Sequence, residues 1–169
     1  MPELCAVVGV VILWFIATSV LAVRFVFRDP RFDYRLLIVG ALVPDLVDVW
    51  FGGARLFHTL VFSVALMVGI MAFTRRGSAR RRRVLPLAIG TFLHLVFDGA
   101  FANTKVFWWP FGGTSFDGAR LPVAERGWIN LVFELLGLVG IIWLMRVNGL
   151  DERARRARFM AEGELIDRG

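Results

Sequence analysis

Two pairs of ionisable side chains lie inside apolar stretches of this sequence, at spacings that put both members of a pair on one face of an α-helix. Asp45 and Asp48 are three residues apart, and His94 and Asp98 are four apart. Residues at these separations project from the same side of a helix. Carboxylates crowded together in a low dielectric repel one another or take up protons unless a positive charge lies between them. The pairs therefore predict a divalent-cation site, with His58 joining from a third segment.

The residue types also bear on which metal would bind. Mixed histidine and aspartate ligands suit Zn²⁺ best, with Mn²⁺ or Fe²⁺ as alternatives, and argue against Ca²⁺. The single cysteine, Cys5, has no disulfide partner in the chain and is a poor ligand on its own.

Glu134 is a sixth ionisable group within an apolar stretch, with Asn130 one turn before it. Three roles stay open for this carboxyl group: it orients a metal ligand, it acts as a general base, or it donates a hydrogen bond between helices in its neutral form. Asp48 and Glu134 are our candidates for the base that takes a proton from a metal-activated water.

The elements that must position these groups follow from the composition. The 169 residues are 57% hydrophobic with a mean hydropathy of +0.66, whereas soluble domains are roughly 45 to 50% apolar. Ionisable groups at membrane depth cost roughly 3 kcal/mol each, so they are seldom there without a function. With about 20 residues per span, the sequence predicts an all-α membrane protein, a bundle of five transmembrane helices. These cover approximately residues 4–27, 36–51, 56–73, 84–102 and 128–145.

The arginines predict an orientation, because cytoplasmic loops collect positive charge. Of the 20 lysines and arginines, all but four flank the link after the first segment, fill the link after the third, or follow the fifth. We therefore expect a multi-pass protein of the plasma (inner) membrane, with its N-terminus outside and its C-terminus cytoplasmic. All six ionisable groups then fall in the outer half of the membrane, and the site faces the extracytoplasmic side. The four remaining cations are Arg55, Lys105, Arg120 and Arg126.

The end of the chain is strongly basic. Residues 148–169 are predicted to form a basic, amphipathic cytoplasmic tail, separate from a transmembrane domain at residues 1–147. Cytoplasmic arginine and its attraction to anionic lipid account for the pI of about 11.1, so no nucleic-acid partner is expected.

Several short motifs carry a resemblance to a known family. They are Pro44-Asp45-Leu46-Val47-Asp48, Phe57-His58-Thr59, His94-Leu95-Val96-Phe97-Asp98, and Trp108-Trp109-Pro110-Phe111. In this order they resemble the membrane-bound metal-dependent hydrolase family, the LexA-binding, inner-membrane-associated hydrolases, over about residues 40–111. The resemblance implies hydrolysis of a phosphoester or related lipid bond. It also implies the metal-site residues Asp45, Asp48, His58, His94 and Asp98.

The sequence departs from the fuller pattern of that family in two places. Many members carry a histidine in the first apolar segment, where this chain has none, and a second one five residues before the His-Thr pair, where this chain has Gly53. These departures favour one metal ion, or two with Glu134 or the substrate completing the second site.

Together these features predict a membrane-embedded, metal-dependent hydrolase of the phosphatase or phospholipase type, from a bacterial inner membrane. Its substrate would be a phospholipid or lipid-linked phosphate at the extracytoplasmic leaflet, with Arg55 and Lys105 binding the anionic headgroup. Two alternatives stay open: a cation or proton carrier, and a non-enzymatic membrane scaffold with a structural metal. A closed site of four ligands would favour the scaffold.

Overall fold

The fold is known from a computed structural model, which describes residues 11–27, 29, 32–51, 53–102, 104–116 and 126–166. Every regular element in these ranges is helical, so the all-α prediction is confirmed. Three short 3₁₀ turns join the helices at Val49–Phe51, Leu56–His58 and Ala100–Ala102. The α-helices are α1 (Ile12–Phe27), α2 (Tyr34–Asp48), α3 (Leu60–Phe73), α4 (Ala79–Phe97), α5 (Thr104–Phe107), α6 (Ile129–Val147) and α7 (Arg153–Glu162).

The prediction of five transmembrane helices is wrong. Among the described residues only α6 is both long and apolar enough to cross a bilayer. The apolar helices α1 and α3 have 16 and 14 described residues, or about 24 and 21 Å at the α-helical rise, against a hydrocarbon core of about 30 Å. Helix α4 has 19 residues, but four consecutive arginines occupy its start.

The predicted spans were too long because apolar composition does not separate helices from turns. Each of the second, third and fourth predicted segments contains one of the three 3₁₀ turns at its end or its beginning. Residues 4–10 of the first predicted segment lie outside the described part of the chain. The predicted orientation assumed five crossings, so it loses its basis when the five spans are rejected.

Two glycines bring the backbones of α2 and α4 into contact. A Cβ atom on Gly40 would lie 2.1 Å from the carbonyl oxygen of Leu87, and one on Gly90 would lie 2.3 Å from that of Leu37. Both distances are below 3.0 Å, a separation that real Cβ atoms essentially never show. The two helices can therefore approach this closely only with glycine at both positions.

Close packing at two glycines also joins α1 to α6. A Cβ atom on Gly137 would lie 2.4 Å from the backbone nitrogen of Trp14, and one on Gly140 would lie 3.1 Å from the Cβ of Ala17. Aromatic stacking of Trp14 on Phe133, with ring centroids 4.7 Å apart, extends this contact.

The basic tail packs against the start of α2. The backbone N–H of Tyr34 donates to the carbonyl of Gly163 at 2.9 Å, and Arg35 Nη1 donates to the carbonyl of Met160 at 2.6 Å. Leu165 is buried in a core cluster that includes residues of α1, α2 and α6. Gly163 ends α7 with φ +79°, and a Cβ atom there would meet Asp33 Oδ1 at 2.1 Å.

Asp33 caps α2 and joins it to the basic residues nearby. Its carboxylate accepts from the Arg35 side chain at 2.9 and 3.1 Å and from the backbone N–H of Leu36 at 3.4 Å. Burial raises the pKa of Asp33, but the hydrogen bonds from Arg35 and Leu36 outweigh it and hold the pKa below its usual value. The cap is therefore an ionised carboxylate at neutral pH.

Candidate metal centre

The chain folds back after α2 and brings His58 to the acids of that helix. The backbone N–H of Arg55 donates to Asp48 Oδ2 at 2.8 Å, and the N–H of Gly53 donates to the Asp48 carbonyl at 3.4 Å. His58 ends the 3₁₀ turn Leu56–His58, and Thr59 caps α3 by accepting from the N–H of Phe62 at 3.1 Å. These contacts fix His58 at the junction of turn and helix.

Asp45, His58 and His94 are positioned to bind a metal ion. His58 Nε2 lies 3.2 Å from Asp45 Oδ1, His94 Nε2 lies 3.5 Å from the same oxygen, and the two Nε2 atoms are 3.4 Å apart. The three atoms thus lie within 4.8 Å of one another. Both imidazoles are fully buried, and the ring of Phe15 packs on that of His94 with centroids 4.2 Å apart.

The other ring nitrogen of each histidine is hydrogen-bonded. His94 Nδ1 lies 2.7 Å from the carbonyl oxygen of Ala41, which can only accept, so Nδ1 carries the proton. His58 Nδ1 lies 2.7 Å from Asp48 Oδ2 and donates to that carboxylate. When both imidazoles are neutral, as metal binding requires, their Nε2 atoms present lone pairs, and these two lone pairs and the carboxylate of Asp45 face one another. Metal-ligating histidines characteristically have this support from a carboxylate or a backbone carbonyl.

Asp48 and Asp98, both predicted as ligands, lie beside this triad. Asp48 bonds to Nδ1 of His58, on the opposite edge of the ring from Nε2, so its contact orients His58. Asp98 follows His94 by one turn and interacts electrostatically with Asp45, His58 and His94. Two buried oxygens, Asp48 Oδ1 and Asp98 Oδ2, have no hydrogen-bond partner among the described residues. Such atoms are costly unless something binds them, and a metal ion, water or substrate would do so.

Glu134 belongs to α6, and its side chain contacts the N-terminal end of α1. Its two carboxylate oxygens accept from the backbone N–H of Leu13 at 3.0 and 3.2 Å. The first N–H groups of a helix lack intrahelical partners and attract negative charge. Of the three roles left open for Glu134, this contact favours a hydrogen bond between helices, made with the carboxyl group as acceptor.

The structure describes three of the four outward cations, Arg55, Lys105 and Arg126, and gives them different surroundings. The side chains of Arg55 and Lys105, predicted to bind substrate, are exposed. Arg126, in contrast, donates through Nη2 to Asp98 Oδ1 at 3.0 Å and to the Asp98 carbonyl. Cys5 and Arg120 lie outside the described residues.

Sequence reasoning missed both Arg126 and the carbonyl of Ala41 as parts of the site. Arg126 is 28 residues from Asp98 and has no helical spacing to it, so no local pattern signals the pair. Every residue has a backbone carbonyl, so no sequence motif indicates which one contacts His94. The available signal for Ala41 was Gly40 beside it, since glycine inside a helix suggests a close backbone contact.

Comparison with known proteins adds no family to this geometry. No protein-family model matches the chain, and neither a curated protein nor a solved structure shows significant similarity to it. The resemblance to the membrane-bound metal-dependent hydrolases therefore stays a prediction, carried by the motifs at residues 44–48, 57–59, 94–98 and 108–111.

Proposed function

We propose that this protein is a metal-dependent hydrolase that cleaves a phosphoester bond. The observation that carries the proposal is the convergence of His58 Nε2, His94 Nε2 and Asp45 Oδ1 while both Nδ1 atoms are engaged elsewhere. Three protein ligands leave one tetrahedral position open, as in catalytic zinc sites, whereas structural sites have four. Zn²⁺ suits this donor set best, followed by Mn²⁺ and Fe²⁺.

Each side chain of the site has a distinct role in the proposed hydrolysis. A divalent cation at the triad would polarise a phosphoryl oxygen and acidify the attacking water. Asp45, His58 and His94 would hold that cation, and the contact of Asp48 Oδ2 with His58 Nδ1 would keep the ring of His58 in the orientation required. The two unpaired oxygens, Asp48 Oδ1 and Asp98 Oδ2, are the proposed acceptors for the proton of the water.

We propose further that the enzyme works at a membrane on a lipid phosphate. Only 22% of the most apolar window of α6 is buried, whereas the core helix of a soluble protein is mostly buried, and this exposure supports the proposal. Leu131, Leu135 and Val139 recur every four residues along it and are 59%, 55% and 64% exposed. Contiguous exposed apolar surface of this kind marks contact with a membrane or a protein.

The experiment is a metal analysis followed by a turnover assay. Detergent-solubilised wild type is expected to hold about one equivalent of metal, and Asp45→Ala and His94→Ala are expected to hold none, because each removes a ligand. Glu162→Ala, which removes an exposed carboxylate on α7, is the matched control and should keep its metal. Phosphate release from phosphatidic acid and from water-soluble phosphomonoesters is then measured with and without a chelator.

Two results would reject the proposal at different levels. Equal trace metal in wild type, both ligand variants and the control would show that the triad is a hydrogen-bonded His-Asp cluster without a metal. Stoichiometric metal without chelator-sensitive turnover of any phosphoester would reject the hydrolase and favour a scaffold stabilised by a structural metal.

A further inference from the structure

We propose that Arg126 recognises the anionic group of the substrate, binding an oxygen of a phosphate through its Nη1. The inference rests on the proposed hydrolase for the identity of that anion. Headgroup binding was predicted for Arg55 and Lys105, and contacts seen only in the structure distinguish Arg126 from these two cations.

The guanidinium of Arg126 is held firmly on two sides. Its Nη2 donates to the Oδ1 and to the carbonyl of Asp98, and its Cζ lies 5.7 Å from the ring centroid of Phe133. Phe133 in turn stacks on Trp14, whose Nε1 donates to the Phe97 carbonyl at 3.3 Å. These contacts fix the plane of the guanidinium before any ligand arrives.

One donor of this fixed guanidinium is unused. Arg126 Nη1 is buried and has no hydrogen-bond partner among the described residues. A buried N–H group without an acceptor is rare in proteins and calls for an unseen partner. The planar fork of arginine matches the oxygens of phosphate better than the point charge of lysine does.

The ion pair with Asp98 ties the guanidinium of Arg126 to the C-terminal end of α4, the helix that carries His94. Asp98, which holds the guanidinium, is one helical turn after His94, and its carboxylate interacts with both histidines of the triad. A phosphate with one oxygen towards the cation can thus present another to Nη1. Arg55 and Lys105 are exposed, where water and salt weaken their attraction for an anion.

A purely structural role for Arg126 makes a different prediction. By donating to the carbonyl of Asp98, Nη2 caps the C-terminal end of α4, and this contact alone would stabilise the helix. A cap uses only Nη2 and would leave the affinity for phosphate unchanged.

The test measures phosphate binding by the full-length, detergent-solubilised protein, with and without Zn²⁺, by calorimetry. Arg126→Gln is expected to weaken binding of inorganic phosphate by about 10- to 100-fold, the effect of losing a charge-assisted hydrogen bond. Arg126→Lys should weaken it less, because the charge remains while the fork is lost. Arg55→Gln and Lys105→Gln are the matched variants among exposed cations. A parallel titration with phosphatidic acid in micelles distinguishes a lipid headgroup from free phosphate.

The possible outcomes separate this inference from the proposed function. Unchanged phosphate affinity in Arg126→Gln, with or without a lower Tm, overturns the inference even if the protein binds metal and hydrolyses phosphoesters. So does absence of phosphate binding to wild type, or a loss confined to Arg55→Gln or Lys105→Gln. Arg126-dependent phosphate binding in a protein that holds no metal upholds the inference and rejects the metal enzyme. If Arg126→Gln does not fold, Arg126→Lys decides, and wild-type affinity in that variant overturns the inference.

Discussion

Replacing Gly90 with alanine tests whether the backbone contact between α2 and α4 builds the metal centre. The new Cβ atom would lie 2.3 Å from the carbonyl oxygen of Leu37 and 2.8 Å from the backbone nitrogen of Ala41. Both partners are backbone atoms, so α4 must move away from α2 by roughly 0.7 Å to restore the 3.0 Å minimum. His94 follows Gly90 by one turn, and its 2.7 Å hydrogen bond to the Ala41 carbonyl would lengthen towards the limit of a useful bond.

The expected magnitudes follow from that displacement. Overpacking costs about 1 to 3 kcal/mol, and the gain in helix propensity from glycine to alanine offsets about 0.5 to 1 kcal/mol of it. We therefore expect a net loss of about 0.5 to 2 kcal/mol in the free energy of unfolding. Because His94 loses the group that orients it, metal affinity should fall by about 10- to 100-fold.

The assay combines thermal unfolding with competition for metal against a chromophoric chelator. The matched control is Gly69→Ala in the middle of α3, where a Cβ atom meets nothing within 4 Å; this variant should be as stable as wild type or slightly more so and keep its metal affinity. Wild-type metal affinity in Gly90→Ala would refute the reasoning, because the contact between the helices would then not govern the position of His94.

Three further predictions concern single carboxylates. Asp48→Asn should weaken metal binding by about 10- to 100-fold, because it alters the group that orients His58. Asp45→Ala should abolish metal binding. Equal losses in the two variants, measured by the same chelator competition, would place Asp48 among the ligands. Glu134→Ala should cost about 1 kcal/mol of stability, because it leaves the Leu13 N–H unpaired. Glu134→Gln still offers an acceptor and should unfold like wild type. Loss of phosphate release in Glu134→Gln at normal stability would instead support the general base predicted from sequence. Asp33→Asn keeps a side chain that can cap α2 but removes the charge paired with Arg35, so it should cost up to about 1 kcal/mol at pH 7. Because the folded pKa of Asp33 is lowered, this ionic contribution is complete above about pH 4 and is lost as the pH falls through that lowered pKa. In unfolding measurements the stabilities of the variant and wild type should therefore converge as the pH falls below about 4, and a constant difference would contradict an ionised Asp33.

The sequence predicted five metal-site residues, and the structure positions three of them, Asp45, His58 and His94, to bind a metal ion. The positions of Asp45, His94 and His58 in separate apolar segments indicated three elements that meet at one point, and their ligand atoms do meet. Spacing could not show that the ring of His58 would contact both acids of α2, with Nε2 towards Asp45 and Nδ1 towards Asp48. That arrangement depends on the fold of residues 53–58 over the end of α2, which no periodicity encodes.

The span prediction failed for a related reason. Hydropathy reports how apolar a stretch is, but helix ends are set by individual hydrogen bonds, such as the cap that Thr59 provides to α3. The apolar turns before α3 and after α2 and α4 were therefore counted as helix. The Arg126–Asp98 ion pair escaped detection because it joins residues far apart in sequence, and only the tertiary fold brings them together.

Helix α2 begins at the basic tail and carries a residue of the metal triad. Mutations can therefore disturb one of these two regions without the other. Its capped start at Asp33 contacts the basic tail, and Asp45 lies twelve residues further along, or about 18 Å at the α-helical rise. The backbone contact of Gly40 with Leu87 lies between them and holds α2 against α4 independently of the tail. Loss of the tail contact should consequently reduce the stability of the fold without changing the geometry of the triad. A change at Gly40 or Gly90 should alter both the stability and the triad geometry. The close approach of α2 and α4, rather than the charges at either end, is the feature on which the geometry of the metal centre depends.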